Sequence, residues 1–166
     1  PEEINYIDIA SVSMGYIEKT ETLTFIDAPG RARRKVKHGD IIWSTVRPNR
    51  QSFSIILDPS PHLIVSTGFA VITALDVPFT YLYQATTTEE FVSYLSNHAK
   101  GSAYPAVTAA DFLEANILQP QRDVLEAFNR IVEPMFLWKQ NMLKKNAKLC
   151  LTRDILLSKL FSGGSE

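Results

Sequence analysis

Gln121-Arg-Asp-Val-Leu-Glu-Ala-Phe-Asn-Arg-Ile-Val-Glu-Pro134 opens a run that continues to Phe161 with no glycine and only this proline. Within it Leu125, Phe128, Val132, Met135, Met142, Leu149, Leu156 and Leu160 fall on alternating three- and four-residue steps. The same register puts Lys139, Asn146 and Arg153 on the seam. A heptad seam broken by a few polar residues marks a helix that pairs with another in a defined register. Pro134 has no N–H for the helical ladder, so it either kinks this helix or starts a second one. At 1.5 Å per residue, a helix over 121–162 is roughly 60 Å long, more than a domain of about 120 residues spans. Its apolar stripe must therefore meet another helix, from a missing part of the polypeptide or from another chain.

Ahead of the helix the sequence reads as short strands. Ile4 to Val12 alternates in part, through Ile4, Tyr6 (or Ile7) and Ile9. Thr22 to Ile26 ends at the turn signal Asp27-Ala-Pro-Gly30, and Gly39-Asp40 turns into Ile41-Ile-Trp-Ser-Thr-Val46, which Pro48-Asn49 closes. Phe53 to Leu57 stops at Asp58-Pro-Ser-Pro61, and Leu63-Ile-Val65 and Phe69-Ala-Val-Ile-Thr73 flank Gly68. These make five or six strands before residue 75. Then the period changes. Thr87-Thr-Glu-Glu90 fits a capping box with Thr87 as the cap, followed by Phe91, Val92, Tyr94 and Leu95, with Gly101 placed as the stop. Thr108-Ala-Ala-Asp111 is a second box ahead of Phe112 and Leu113, and Asn116-Ile-Leu-Gln-Pro120 reads as a last strand and a break. The fold class is α/β (α+β): a β-rich globular domain with short helices over 1–120, then a coiled-coil-type helix over 121–162.

Composition narrows the function classes. A chain of 166 residues, 45% hydrophobic and 21% charged, is not a disordered tail, a collagen-like fibre or a disulfide scaffold. One cysteine, Cys150, makes no internal disulfide, and no apolar run reaches the roughly 18 residues of a membrane span. The first ten residues have no signal-peptide character, and the sequence starts at Pro1 rather than Met, as a trimmed fragment would. Nothing here requires an oxidising compartment, and no membrane partner is expected. The net charge of −1 conceals an uneven spread. Residues 1–30 sum to −5, residues 31–50 to +6, residues 51–120 to −5 and residues 121–166 to +3. The centre of the basic stretch is Arg31-Ala-Arg-Arg-Lys-Val-Lys37, with Arg47 and Arg50 following around Pro48-Asn49. Such a cluster is the footprint of a phosphate-binding surface, or else a solvated loop.

Catalytic constellations are not legible. No Asp/Glu-x-Lys tripeptide of the metal-assisted nucleases occurs, and Asp58-Pro-Ser-Pro61 lacks the aromatic that an amine-holding methyltransferase loop requires. There is no Gly-x-Gly loop or Walker motif; His38, His62 and His98 lack metal-ligand spacing; and neither Ser66-Thr-Gly68 nor Gly101-Ser102 forms a nucleophile elbow. A binding module with no cofactor and no metal is expected, rather than an enzyme.

Five blocks, in order, resemble a known family. They are Tyr6-Ile-Asp-Ile-Ala-Ser11 with Gly15-Tyr-Ile17; Arg33 through Gly39-Asp-Ile-Ile-Trp-Ser-Thr-Val-Arg-Pro48; Ser66-Thr-Gly-Phe-Ala-Val-Ile72; Gly101-Ser-Ala-Tyr-Pro105; and Arg153-Asp-Ile-Leu-Leu-Ser-Lys-Leu-Phe-Ser-Gly163. Together they look like one half of the specificity subunit of a type I restriction-modification enzyme, a target recognition domain with its conserved spacer helix. The sequence departs from the family pattern at Tyr104, where Gln is frequent, at Ser158, where proline is common, at Gly164-Ser165, and in having Pro120 alone before the helix.

The resemblance implies a cytoplasmic, prokaryotic setting, a partner set and a role. Double-stranded DNA is bound, each recognition domain reads one half of a split target, and spacer helices pack antiparallel as a ruler. The second helix comes from the same chain or from a second copy, and methyltransferase (modification) and restriction subunits dock on the scaffold to perform the chemistry. The chain is then either a natural half-subunit or the cut half of a longer one. By chemistry, Arg31, Arg33, Arg34, Lys35, Lys37 and Lys100 suit phosphate contacts. Arg47, Asn49, Arg50 and Gln51 suit base reading, since Arg pairs with guanine and Asn or Gln with adenine; Ser102 and Tyr104 are candidates to line the groove. Against these stand plain structural roles: Arg47 paired with an acid such as Asp40, Asn49 closing a turn, Tyr104-Pro105 packed on the sheet. Gly39, Asp40 and Gly68 are expected to be scaffold. Two other readings stay open, a non-enzymatic coiled-coil adaptor that binds protein and a recognition-domain fragment of a DNA adenine methyltransferase.

Overall fold

The computed structural model describes residues 2–162, so Pro1, Gly163 and Gly164-Ser165 lie outside it. Its core is organised by one strand, Ile41–Ser44, buried along its whole length. Successive side chains on a strand point to opposite faces. Ile42 accordingly joins Ile7, Val12, Ile56, Val65 and Phe69 in one apolar cluster. Trp43, fully buried, turns the other way. Its ring lies 4.9 Å from that of Phe53 and 6.3 Å from those of Phe91 and Phe112, and its Nε1–H donates to the Thr86 carbonyl at 2.9 Å. A strand covered on both faces reads as a continuous apolar run, and this one does.

Numbered along the chain, the strands are β1 (Glu3–Ile7), β2 (Val12–Ser13), β3 (Tyr16–Ile17), β4 (Glu21–Thr24), β5 (Ala32–Lys35), β6 (Ile41–Ser44), β7 (Phe53–Ile55), β8 (Leu63–Ser66) and β9 (Phe69–Ile72). They form a four-stranded sheet in the order β4-β1-β8-β5, a three-stranded antiparallel sheet β7-β6-β9 and the hairpin β2-β3. In the larger sheet β1 and β8 run parallel, and the two outer pairings are antiparallel. The chain passes from one sheet to the other at Thr67-Gly68, between β8 and β9. That turn is tight against the core: a Cβ on Gly68 would stand 2.2 Å from Ile9 Cδ1. Asp40 is buried and satisfied, accepting from the Lys37 N–H at 2.8 Å and the Thr73 hydroxyl at 2.7 Å. Both residues hold the scaffold, and Asp40 is not the partner of Arg47.

The helices are α1 (Phe79–Ala85), α2 (Glu89–His98), α3 (Ala109–Leu113) and α4 (Arg122–Ser162). Several sequence expectations need correction. The strand expected over Ile4–Val12 breaks at Asp8, whose carboxylate accepts from the Ala10 N–H and caps a 3-10 turn over Ile9–Ser11. The basic run is itself a strand, β5, and α1 has no counterpart among the sequence expectations. The cap of α2 is Thr88, which accepts from the Phe91 N–H, while the Thr87 hydroxyl turns back to the Tyr83 carbonyl at 2.8 Å. Gly101 does not stop α2, which ends at His98; with φ +104 it opens the loop that Lys100 and Ala106 close by pairing their backbones. Asn116–Pro120 is irregular, not a strand. The second capping box forms as expected, with Asp111 accepting from the Thr108 N–H at 2.6 Å.

α4 passes through Pro134 as one helix of 41 residues, so no second helix starts there. Packing divides the chain between Asn129 and Arg130. The first turns of α4 belong to the globular unit: Leu125 is buried, Phe128 meets the Tyr81 ring edge-on at 6.1 Å, and the Thr80 hydroxyl donates to Asn129 Oδ1 at 2.6 Å. In the helical unit Val132 and Met142 are half-buried, whereas Met135, Leu149, Leu156 and Leu160 are exposed. Ile131 and Trp138, one position before seam residues, and Leu143 and Leu157, one position after, are exposed too. The apolar stripe is wider than the seam.

Candidate nucleic-acid interface

β5 is an edge strand, and edges carrying lysine and arginine resist pairing with other chains. Here the same feature exposes Arg33, Arg34, Lys35 and, just beyond the strand, Lys37. The register with β8 shifts between Ala32 and Arg34, so Arg33 sits at the irregularity, with its Nε–H on the Gly30 carbonyl at 2.8 Å. Extended over about six residues at roughly 3.3 Å each, the run from Arg31 to Lys37 is about 20 Å long.

A series of backbone hydrogen bonds gathers the other segments at the Arg31 end of this strand. The Arg31 carbonyl accepts from the Thr67 N–H at 2.8 Å, and the Gly68 carbonyl accepts from the Thr45 N–H at 2.9 Å. The Thr45 carbonyl accepts from the Val107 N–H at 2.8 Å, and the Pro105 carbonyl from the Arg47 N–H at 2.7 Å. The start of the basic run, the crossing between sheets, the end of β6 and the 100–107 loop thus share one end of the globular unit.

At that end Pro48–Arg50 forms a 3-10 turn bracketed by two residues in the left-handed region, Arg47 at φ 51 and Gln51 at φ 55. Such a conformation in a residue other than glycine costs about 1–2 kcal/mol, and strained backbone concentrates at functional sites. The turn leaves Asn49 and Arg50 exposed and Gln51 half-buried. The Arg47 guanidinium lies over the Tyr104 ring, 4.4 Å from its centroid, and donates through Nη2 to the Ala103 carbonyl at 3.1 Å. Tyr104 is therefore not packed on the sheet; it and Ser102 are exposed on the loop. A groove of about 480 Å³ runs between Asp8, Ile9, Val46, Arg47, Arg50 and Tyr104.

Arg31 departs from the simple picture of a free cation. Its Nε–H donates to Asp8 Oδ2 at 2.7 Å and lies 3.1 Å from the Tyr6 hydroxyl. Burial opposes the Asp8 charge, but hydrogen bonds from Tyr6, the Ala10 N–H and Arg31, with the Arg31 charge, hold its carboxyl below the ordinary value. The bonds to Tyr6 and Asp8 raise the Arg31 guanidinium in turn. Lys100 pairs through its backbone with Ala106, and its charge helps to lower the Asp111 carboxyl. The sequence-based set contains neither Tyr6 nor Asp8, and no local signal links them to Arg31. Among the described residues no group of three or more His, Cys, Asp or Glu is placed to hold a metal ion, and no helix is long and apolar enough to cross a membrane.

Known proteins share this fold. No protein-family profile matches the chain. Among curated proteins, the type I restriction enzyme HindI specificity subunit of Haemophilus influenzae is 23% identical over 141 residues, 81% of this chain and 29% of that protein. Among solved structures, the HsdS subunit from Thermoanaerobacter tengcongensis superposes with a TM-score of 0.67 at 26% identity, over 94% of this chain and 41% of that one. This chain is similar to the type I specificity subunits. A chain in a structure of a type I R-M system adds the same fold, with a TM-score of 0.66 at 24% identity over 98% of this chain and 43% of that one. The chain spans less than half the length of each of these proteins. The match takes in β-rich domain and long helix together, since it extends over nearly the whole chain.

Proposed function

We propose that this chain is one target-recognition half of a type I specificity subunit, a sequence-specific DNA-binding protein with no catalysis of its own. The observation that carries the reading is the likeness to the HsdS fold over nearly the whole chain, recognition domain and helix together. On this reading Arg33, Arg34, Lys35 and Lys37 contact phosphates along the β5 edge. Arg47, Asn49, Arg50 and Gln51, with Ser102 and Tyr104 beside them, face the base edges of one half of a split target. The strained turn at Arg47–Gln51 and the stack of Arg47 on Tyr104 support this, since both hold polar side chains in fixed directions.

α4 from about residue 121 then serves as the spacer. Its exposed apolar stripe supports pairing with a second spacer helix, from the same polypeptide or from a second copy. The methyltransferase and restriction subunits dock on that scaffold and perform the chemistry.

A mobility-shift titration of the full chain on random-sequence duplex, repeated over a range of salt, tests the reading. Binding should weaken with a linear dependence of log affinity on log salt. A chain that shifts no duplex even at low salt is not a DNA reader.

A further inference from the structure

The group around Asp8 goes beyond that reading. We propose that Arg31 reads a guanine in the recognised half-site and that Asp8 is the positioning residue that aims it, an inference that rests on the DNA-binding reading above. Asp8 is anchored independently of Arg31. Its Oδ2 accepts from the hydroxyl of buried Tyr6 at 2.7 Å, and its Oδ1 accepts from the Ala10 N–H at 3.2 Å. Arg31 reaches this anchored carboxylate through Nε alone, at 2.7 Å. Both Nη nitrogens are left without a protein partner among the described residues, and the Arg31 side chain is 59% exposed.

A guanidinium held at Nε presents its Nη groups in a fixed plane. Two parallel N–H donors in such a plane match the O6 and N7 acceptors of guanine. A phosphate contact needs only charge, which a mobile side chain supplies as well. Ordering a long side chain before binding is useful where direction matters, because the cost of ordering is then met by the fold and not by the complex. Arg34, Lys35 and Lys37 have no such brace among the described residues. The location agrees: Asp8 lines the groove that Arg47, Arg50 and Tyr104 also line.

Selection from a randomised duplex pool, with the full chain and its Arg31→Lys, Asp8→Asn and Tyr6→Phe variants, tests the proposal. The parent chain should enrich a motif that includes a guanine. R31K, which keeps the charge but lacks the fork, should lose preference at that position by roughly five- to 150-fold and keep the others. D8N should relax the same position with the arginine still present, and Y6F should do so more weakly. A melting curve on each variant registers folding, and R31K, at an exposed side chain, decides the matter even if D8N fails to fold. An R31K motif identical to the parent's, or a parent motif without guanine, overturns this inference and leaves DNA reading intact. A D8N change at some other position, or equally at all, overturns the positioning role. A parent chain that enriches nothing overturns both.

Discussion

The guanidinium carbon of Arg47 stands 4.4 Å from the centre of the Tyr104 ring, joining the turn after β6 to the loop after α2. Two further bonds fix the same residue, from its N–H to the Pro105 carbonyl and from Nη2 to the Ala103 carbonyl. The two segments therefore act as one surface, and these contacts aim Arg47.

Tyr104→Ala removes the aromatic face and frees both loop and arginine. A cation–π contact at an exposed site contributes about 0.5–1 kcal/mol, so affinity for target DNA should fall roughly two- to fivefold. Tyr104→Phe keeps the ring and should bind like the parent. Anisotropy titrations at one fixed salt concentration check this; equal losses in both variants would assign the effect to the hydroxyl instead.

Replacing Arg33 and Arg34 together with alanine should weaken binding to all sequences alike. Every phosphate that a cation neutralises adds about 0.9 to the steepness of log affinity against log salt, so the double variant should be shallower by close to two units of slope. A titration series over salt on target and random duplex reads it. An unchanged slope removes the β5 edge from the interface.

Gly68→Ala should destabilise the globular unit, because the new methyl would meet Ile9 Cδ1 at 2.2 Å. Overpacking of this kind costs about 1–3 kcal/mol. Ile9→Val removes the offending carbon, so the double variant should be more stable than the sum of the single losses allows. Urea midpoints for the four proteins close the cycle; strict additivity would show that the two residues do not meet.

Stability should fall at both ends of the pH range, for groups of opposite kind. The fold favours ionised Asp8, so its stabilisation is complete above the ordinary value of 3.8 and fades as pH falls through the lower folded value. Asp111, held low chiefly by bonds from Thr108, acts with the same sign. Tyr83 is the reverse. Burial, with the Tyr16 charge second, pushes its phenol up to about 12 from 10.0. The neutral form is favoured, so its stabilisation is complete below pH 10.0 and fades as pH rises towards about 12. Urea unfolding across pH should show a shallower alkaline decline in Tyr83→Phe; parallel declines would exclude Tyr83 as the cause.

Much of this architecture is legible in the sequence, for reasons that differ by element. α4 stands out because a long run without glycine repeats its apolar residues at a helical period, and β6 and β9 because strands covered on both faces become apolar runs. α1 is hidden because Phe79, Thr80, Tyr81 and Tyr83 prefer strands. What makes it a helix is tertiary, the burial of Thr80 and Tyr83 one turn apart and the bonds to Asn129 and Leu118. The start of α2 lies among three threonines, each able to cap. Thr88 does so because the hydroxyls of Thr86 and Thr87 turn back to carbonyls of α1. The basic run is legible as charge but not as a strand, since an edge strand with cationic side chains shows no apolar alternation. Tyr6, Asp8 and Arg31 meet across a sheet, and nothing local announces a bond between residues 23 positions apart.

Sequence-specific reading of duplex DNA is measured directly by sequencing the duplexes that the full chain selects from a randomised pool. One short contiguous motif, a half-site, should be enriched over a background that binds through phosphates alone. A selected pool with the same composition as the starting one would contradict it.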